Sequence, residues 1–187
     1  MSVKYAAAAA CGQSHLLEGQ PCQDVASGVT AGPVTVVAIS DGAGSCPSSE
    51  LAAQCVCTWA LKLFSQRFDA LYAAAEPDLA EILVNEGQAA LRAAHQSEGL
   101  CTLLVTACHD DGRWIAAHIG DGYIFQLSDG PARVLSAPEN GAFANETFFL
   151  CEADAQEHLR IHRGRAVGRM AVLLTSDGCG SSLYDME

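Results

Sequence analysis

Alternating runs of apolar and polar residues along the chain predict a series of short strands. The run from Thr35 to Ser40 is β-branched and lies between Gly32-Pro33 and Asp41-Gly42, as expected of a buried strand. The alanine-rich run from Tyr5 to Cys11 is predicted to form an earlier strand. The later strand predictions are "CTLLVTACH", "RWIAAHI", "YIFQL", "ARVLS", "ETFFL" and "AVGRMAVLLTS", separated by Asp-Gly and similar turns.

Helical spacing of apolar residues between the early and late strands predicts two helices. The first is predicted to begin near Glu50, capped by Ser48 or Ser49. Its inner face is expected to carry Leu51, Cys55, Trp59 and Leu63. The second is predicted to begin after Pro77 and end near Gly99, with Leu79, Ile82, Leu83, Ala90 and Leu91 facing inward. Strands, then helices, then hairpins indicate an α+β fold with antiparallel sheets covered by helices.

Composition and charge limit the classes of function. The 187 residues suit a single domain spanning residues 1–187, with 50% hydrophobic and 17% charged residues. The formal charge of -12 argues against nucleic acid or an anionic membrane surface as the main partner, because both require clustered Lys and Arg. An excess of carboxylates also suggests that some of them hold cations.

Nine scattered cysteines do not resemble a disulfide framework or a zinc site. Their number is odd and no C-x-x-C pair occurs, whereas zinc ribbons need paired ligands at short spacing. We therefore expect free thiols in a reducing cytoplasm. No stretch approaches the roughly 18 apolar residues of a membrane span.

Four aspartates are candidates for a shared cation site. Asp41, Asp121 and Asp177 each follow an apolar strand and precede a glycine, and Asp24 follows a Gly-rich segment. Each Asp-Gly is also an ordinary turn sequence. If the strand ends converge, however, these carboxylates would repel one another unless cations lay between them. Oxygen ligands suit Mg²⁺ or Mn²⁺ rather than zinc.

The order of these motifs resembles the protein phosphatase 2C family of metal-dependent Ser/Thr phosphatases, and especially its bacterial branch. The matching pieces run from about residue 10 to the end of the chain. They are "GQSHLLEGQPCQD", "ISDGAGSCPSSELAA", "CTLLVTA", "AAHIGDGYI", "PENGAFANETFFL" and "LLTSDGCGSSL". The resemblance implies two antiparallel β-sheets packed as a sandwich and flanked by helices, in α-β-β-α layers.

The resemblance also implies a reaction and a set of metal ligands. The reaction is hydrolysis of phosphoserine or phosphothreonine on proteins by a hydroxide that bridges two Mn²⁺ or Mg²⁺ ions. Asp41 matches the carboxylate that bridges both ions, and the Gly42 carbonyl matches a ligand of the second. Asp177 matches a ligand of the first ion, and Asp24 lines the cluster through metal-bound water. Asp121 matches a residue that helps to hold a third ion in bacterial relatives.

Departures from the family pattern leave an alternative open. Gln23 stands where a Glu ligand is common, and Ala43 stands where many members have a proton-donating His. The phosphate-binding Arg of the family is absent near Gly19, and His15 is a candidate to replace it in phosphate contact or proton donation. A turn histidine without a role is an equal alternative. Gln23, Ala43 and the lack of a further C-terminal Asp favour a catalytically silent domain that binds a phosphorylated partner or acts as a regulatory module. The retained Asp41, Asp121 and Asp177 favour the enzyme.

The resemblance further implies a shortened carboxyl end. Family members commonly continue through another helix and closing strands that carry one more metal-binding Asp. Either the chain is a naturally short form or the sequence omits the remainder. A missing closing strand would expose a sheet edge and favour a homodimer through strand pairing.

The late part of the chain carries a basic cluster. Its members are His158, Arg160, His162, Arg163, Arg165 and Arg169. Contact with a phosphoprotein substrate is one interpretation. The favoured interpretation is a solvated face that offsets the acidic remainder.

Overall fold

The computed structural model describes residues 3–139 and 147–179. Within these ranges the helices are α1 (Gln13–Glu18), α2 (Ser49–Ala73), α3 (Glu76–Ala93) and α4 (Ala155–His158). The strands are β1 (Asp24–Ala31), β2 (Val34–Asp41), β3 (Leu103–His109), β4 (Arg113–Ile119), β5 (Tyr123–Ser128), β6 (Arg133–Ser136), β7 (Arg160–Arg165) and β8 (Met170–Thr175). Parts of two matching motifs, residues 140–146 and 180–183, lie outside the described residues.

The strands form two antiparallel sheets, which confirms the predicted α+β class. Among the described residues, one sheet has five strands in the order β1-β2-β3-β4-β7 and the other has three in the order β6-β5-β8. Leu104, Trp114 and Ala116 of the first sheet pack against Ile124 and Leu174 of the second. This apolar layer joins the two sheets as a sandwich.

The larger core lies between the five-stranded sheet and helices α2 and α3. Small residues on α2 allow its backbone to approach the sheet closely, and they share that face with fully buried larger side chains. The buried residues of α2 include Ala52, Ala53, Val56, Cys57, Ala60 and Phe64. The helical layer seen in the described residues therefore covers the five-stranded sheet.

The beginning and the buried face of α2 differ from the prediction. Leu51 is 51% exposed, because the face that meets the sheet is centred one residue further along. Ser48 precedes the helix with a φ of 62°, and neither its side chain nor that of another N-terminal residue caps the helix by a hydrogen bond. The left-handed conformation of Ser48 turns the chain sharply into the helix instead.

Two strand predictions need correction, and the strands β1 and β7 were not predicted. Residues 3–12 form neither helix nor strand in the structure, so the run from Tyr5 to Cys11 is not the first strand. The first strand is β1, which sequence patterning missed because Ser27 and Gly28 interrupt its apolar character. Of the predicted strand "ETFFL", the described part (147–150) forms only a bridge at Thr147.

The basic cluster is largely engaged with the backbone rather than solvated. Its central residues form β7, an edge strand of the five-stranded sheet within the described ranges. Arg160, Arg163 and Arg165 each donate hydrogen bonds to backbone carbonyl groups of other segments. Arg160 and Arg163 are half-buried, so the favoured interpretation of a solvated face is wrong for these two residues, whereas Arg165 is exposed as that interpretation expects.

All nine cysteines lie within the described ranges and are free thiols, as predicted. Burial raises the pKa of Cys57 and Cys101 to about 12, so both thiols are protonated and packed as small apolar groups. No helix in the described part of the chain is long and apolar enough to cross a membrane.

Candidate active site

Two of the predicted aspartates face each other across a hairpin. β1 begins at Asp24 and β2 ends at Asp41, and the antiparallel register pairs these two residues directly. Directly opposed residues on one face of a sheet hold their side chains close together. Each of the two carboxyl groups shifts the pKa of the other, as expected of acids that lie close together. Hairpin register therefore places a pair of acids at one end of the five-stranded sheet.

Strand direction brings Asp121 to the same end. β2 and β4 both run antiparallel to the strand between them, so they run parallel to each other and their carboxyl ends share an edge. Asp41 ends β2, and Asp121 lies two residues beyond the end of β4. The turn that carries Asp121 begins at Gly120, whose φ of +118° is one that L side chains rarely adopt.

Asp177 reaches the site from the three-stranded sheet. It follows β8 by two residues and begins a short helical turn. Together with Asp41 and Asp121 it lines a cavity of about 380 Å³. The other lining residues are Gly42, Ala43, Gly44, Ser45, Thr102, Thr147 and Phe149. The structure thus brings the predicted carboxylates together between the ends of both sheets.

The carboxyl groups at this site are poorly compensated. Burial, reinforced by the neighbouring acids Asp24, Asp177 and Asp121, raises the pKa of Asp41 to about 8. Burial also raises the pKa of Asp24 and of Asp121 above the usual range for aspartate. Ionising several acids here is unfavourable unless a positive charge joins them. The electrostatics of the site therefore favour a bound cation.

Oxygen atoms beside the acids also lack partners. The Gln23 side chain is buried and its Oε1 accepts no hydrogen bond in the described part of the chain, and the same is true of Thr147 Oγ1. The Gln23 carbonyl accepts the N–H of Gly42 at 3.1 Å, which holds the start of the Asp-Gly loop against Gln23. Uncompensated acids and unpartnered oxygens are a donor set that suits a hard divalent ion.

The protein side chains do not by themselves complete a metal site. Within residues 3–139 and 147–179, no group of three or more His, Cys, Asp or Glu side chains is arranged to hold an ion. An ion bound here would need backbone carbonyl groups or water as further ligands. Mg²⁺ commonly binds through one or two carboxylates and keeps several waters, so the arrangement fits such an ion.

Glycine at position 42 is required by close packing. A Cβ on Gly42 would lie 2.7 Å from the Ser49 carbonyl oxygen in the first turn of α2. The backbone beside Asp41 therefore packs directly on the helix, which fixes the position of the loop that contains Gly42.

His15 is not among the residues that line the cavity. It lies on α1, and its charge lowers the pKa of Asp24. This effect is smaller than the effects of burial and of the neighbouring Asp41 carboxyl group. None of the described lining residues is Arg, Lys or His. A role of His15 in proton donation or phosphate contact remains a prediction.

Thr102 is a site residue that sequence reasoning missed. Its Oγ1 accepts the N–H of Asp41 at 2.9 Å, and its own N–H donates to the Asp41 carbonyl at 2.9 Å. Ser40 Oγ donates to the Thr102 carbonyl at 2.6 Å. These contacts fix the backbone of Asp41 to the beginning of β3. A threonine at the start of an apolar strand carries no sequence signal of this role.

Comparison with solved structures shows the same fold in several proteins, a serine/threonine phosphatase among them. A serine/threonine phosphatase from S. agalactiae superposes with a TM-score of 0.62 at 14% identity, covering 88% of this chain and 76% of that one. A Stage II Sporulation E family protein from Thermanaerovibrio acidaminovorans gives 0.59 at 20% identity, covering 82% and 80%. RsbX, solved in complex with magnesium, gives 0.56 at 10% identity, covering 85% and 68%.

Sequence comparison gives a family assignment over nearly the whole chain. No curated protein matches the sequence. The family model described as "Protein phosphatase 2C" matches residues 11–187, which include all four aspartates of the site. The chain belongs to the protein phosphatase 2C family.

Proposed function

We propose that this chain is a phosphatase that hydrolyses phosphoserine and phosphothreonine esters on proteins, with Mn²⁺ or Mg²⁺ as cofactor. The observation that carries the proposal is that Asp41, Asp121 and Asp177 line one cavity, with Asp24 directly opposite Asp41 in the hairpin and the pKa of Asp41 raised to about 8. Membership of the phosphatase family supports the reaction class.

The roles that we propose for the residues are those that the resemblance implies. Asp41 and Asp177, with the Gly42 carbonyl, would hold two ions, and Asp24, Gln23 and Asp121 would complete the cluster through water or a third ion. When bound, the ions would lower the pKa of a water molecule and neutralise charge on the phosphoryl group. The hydrogen bonds between Thr102 and the Asp41 backbone fix the chain at the residue whose carboxylate would bridge the ions, so little backbone reorganisation would be needed during reaction.

Hydrolysis of p-nitrophenyl phosphate and of a phosphothreonine peptide tests the proposal. We expect turnover that depends on Mn²⁺ or Mg²⁺ and falls in Asp41→Asn. Loss of groups one step removed from a metal already costs roughly 10–100-fold, so removal of a bridging ligand should cost about 100-fold or more. Asp78→Asn, an exposed carboxylate on α3, is the matched control and should retain activity.

The alternative is a catalytically silent domain with a regulatory role. One observation favours it, namely that the described residues lining the cavity provide no cationic side chain for phosphate contact or proton donation. Absence of turnover in wild-type protein, together with calorimetric Mn²⁺ binding that Asp41→Asn abolishes, would support this alternative over the enzyme.

Three further expectations belong to the same proposal. A single domain spanning residues 1–187 in the cytoplasm would suit the nine free thiols. A phosphorylated protein is the expected partner.

β8 has a strand neighbour on one side only within the described residues, so a homodimer through this edge is also expected. Light scattering on the purified chain would contradict the dimer if the mass were that of a monomer at all concentrations.

A further inference from the structure

Arg160 connects segments that border the candidate active site. It is the first residue of β7 and pairs in register with His118 on β4. Its Nη2 donates to the Gly120 carbonyl at 2.8 Å, and its Nη1 donates to the Ala137 carbonyl. Its Nε lies 3.7 Å from Glu139 Oε2, which partly balances the charge. One planar guanidinium therefore joins two separate loops.

The first of these loops is the turn that carries Asp121. The Gly120 carbonyl accepts a second hydrogen bond, from the N–H of Glu139 at 3.2 Å. On one side of Asp121, a Cβ on Gly120 would lie 2.5 Å from Thr102 Cγ2. On the other side, a Cβ on Gly122 would lie 2.5 Å from the Thr175 carbonyl oxygen. The turn is thus packed on both sides, and Arg160 anchors its carbonyl.

The second loop contains Ala137 and Glu139, and it is connected by side-chain contacts to the cavity wall at Thr147 and Phe149. Glu139 Oε1 and His158 Nδ1 are 2.9 Å apart, and the His158 ring stacks on the Phe148 ring. Phe148 lies between Thr147 and Phe149, which both line the cavity. Arg160 and its partner Glu139 therefore link the Asp121 turn to this wall.

We propose that Arg160 is a positioning residue, which holds Asp121 and the Thr147–Phe149 wall in the arrangement needed to bind a divalent cation and the phosphoester. This inference rests on the proposed function of the site. Arg160 lines neither wall itself and acts through the carbonyl groups it binds.

Arg163 provides a matched comparison on the same strand. It also donates to two backbone carbonyl groups, those of Tyr72 at 2.9 Å and Ala74 at 2.7 Å, at the carboxyl end of α2. It lies three residues along β7 from Arg160, which is about 10 Å at the usual rise of a strand. If such arginines only stabilise the fold, then substitution of Arg160 and of Arg163 should have equal effects on Mn²⁺ binding.

The test compares thermal unfolding, Mn²⁺ calorimetry and p-nitrophenyl phosphate kinetics for three variants, Arg160→Ala, Arg160→Lys and Arg163→Ala. We expect Arg160→Ala to weaken Mn²⁺ binding and lower kcat by roughly 10-fold or more, as supporting groups around metal ligands do. Arg160→Lys should change both in the same direction, because an ammonium group cannot donate to two carbonyls in a planar fork. Arg163→Ala should lower the melting temperature without changing either quantity.

A double-mutant cycle with Asp121→Asn separates positioning from general stability. If Arg160 acts through Asp121, then Arg160→Ala should weaken Mn²⁺ binding much less in the Asp121→Asn background than in wild type. Equal effects in both backgrounds, or equal effects of Arg160→Ala and Arg163→Ala on Mn²⁺ affinity, would overturn the inference. Because calorimetry needs no turnover, these outcomes remain readable if the chain is catalytically silent. If Arg160→Ala fails to fold, the Lys variant gives the same comparison.

Discussion

His118 is a titratable residue buried in the layer between the two sheets. Its side chain is fully buried, and its Nδ1 lies 2.9 Å from Ser136 Oγ. Burial, together with the nearby Arg160 and His162 side chains, lowers the pKa of His118 well below the usual value. The folded protein therefore keeps this imidazole neutral at pH values where an unfolded chain protonates it.

The pH dependence of stability follows from that difference. In the unfolded state His118 binds a proton below its ordinary pKa near 6.5. The contribution of neutral His118 to the free energy of unfolding is therefore fully present above that pH and is lost as the pH falls below it. Lowering the pH from 7.5 to 5.5 should therefore reduce the free energy of unfolding through His118. Chemical denaturation of wild type and His118→Gln at both pH values measures it.

The variant should lose less stability than wild type over this pH range, because glutamine does not titrate. His95→Gln changes an exposed histidine on the surface and should behave like wild type. An equal pH response in His118→Gln and wild type would contradict the role of His118.

The contact between β2 and α2 is an element-scale feature that shapes the site. β2 ends at Asp41, and the chain then passes Gly42 so closely to Ser49 that there is no room for a side chain. Ser49 is fully buried at the start of α2. The helix therefore sets the position of the Asp41–Gly42 backbone from behind, while Thr102 holds it from the side.

Gly42→Ala should force the strand end and the helix apart. Overpacking of this kind typically costs about 1–3 kcal/mol, and here it should also weaken Mn²⁺ binding because the Asp41–Gly42 backbone must shift. Gly130→Ala, in a turn away from the cavity, is the control, since its Cβ would meet only Ser128 Oγ at 3.9 Å, an ordinary contact. Urea unfolding measures the free energy of unfolding, and calorimetry measures the Mn²⁺ affinity. Equal values of both quantities in the two variants would contradict a role for the close contact between Gly42 and Ser49.

At the scale of the whole molecule, a net charge of -12 is combined with a cluster of buried acids at one end. The pKa of Asp41 is raised to about 8, and those of Asp24 and Asp121 are also raised. An unfolded chain ionises these groups near their ordinary pKa values, so the metal-free folded state loses stability from this cluster as pH rises from about 4 to 8. A divalent cation would remove that cost.

Metal binding should therefore stabilise the protein in a pH-dependent way. Mn²⁺ must displace protons from the acids, so its affinity should be higher at pH 8 than at pH 6. Ligand at 100 times its dissociation constant adds about 2.7 kcal/mol to the free energy of unfolding, which should appear as a raised melting temperature. Asp41→Asn should remove most of this shift. A melting temperature that does not respond to Mn²⁺ at pH 8 would contradict a cation site.

Local patterns in the sequence were sufficient for much of this protein. Alternating apolar runs predicted β2 to β6 and β8, and helical spacing predicted α2 and α3, because burial of one face imposes these periods on any sequence. Asp-Gly at the ends of apolar strands identified Asp41, Asp121 and Asp177, which the structure brings to one cavity. Free cysteines followed from their number and spacing.

Tertiary structure alone decided how these pieces meet. β1 carries too few apolar residues for a periodic signal, yet its register with β2 is what places Asp24 opposite Asp41. Arg160 and Thr102 have roles that depend on carbonyl groups and N–H groups far away in sequence, and such contacts leave no local pattern. The same separation explains why an apparently solvated basic run became a strand whose arginines bind the backbone. Sequence determined which chemistry is present, and packing determined which groups share a site, because burial acts locally along the chain whereas register and loop contacts join distant segments.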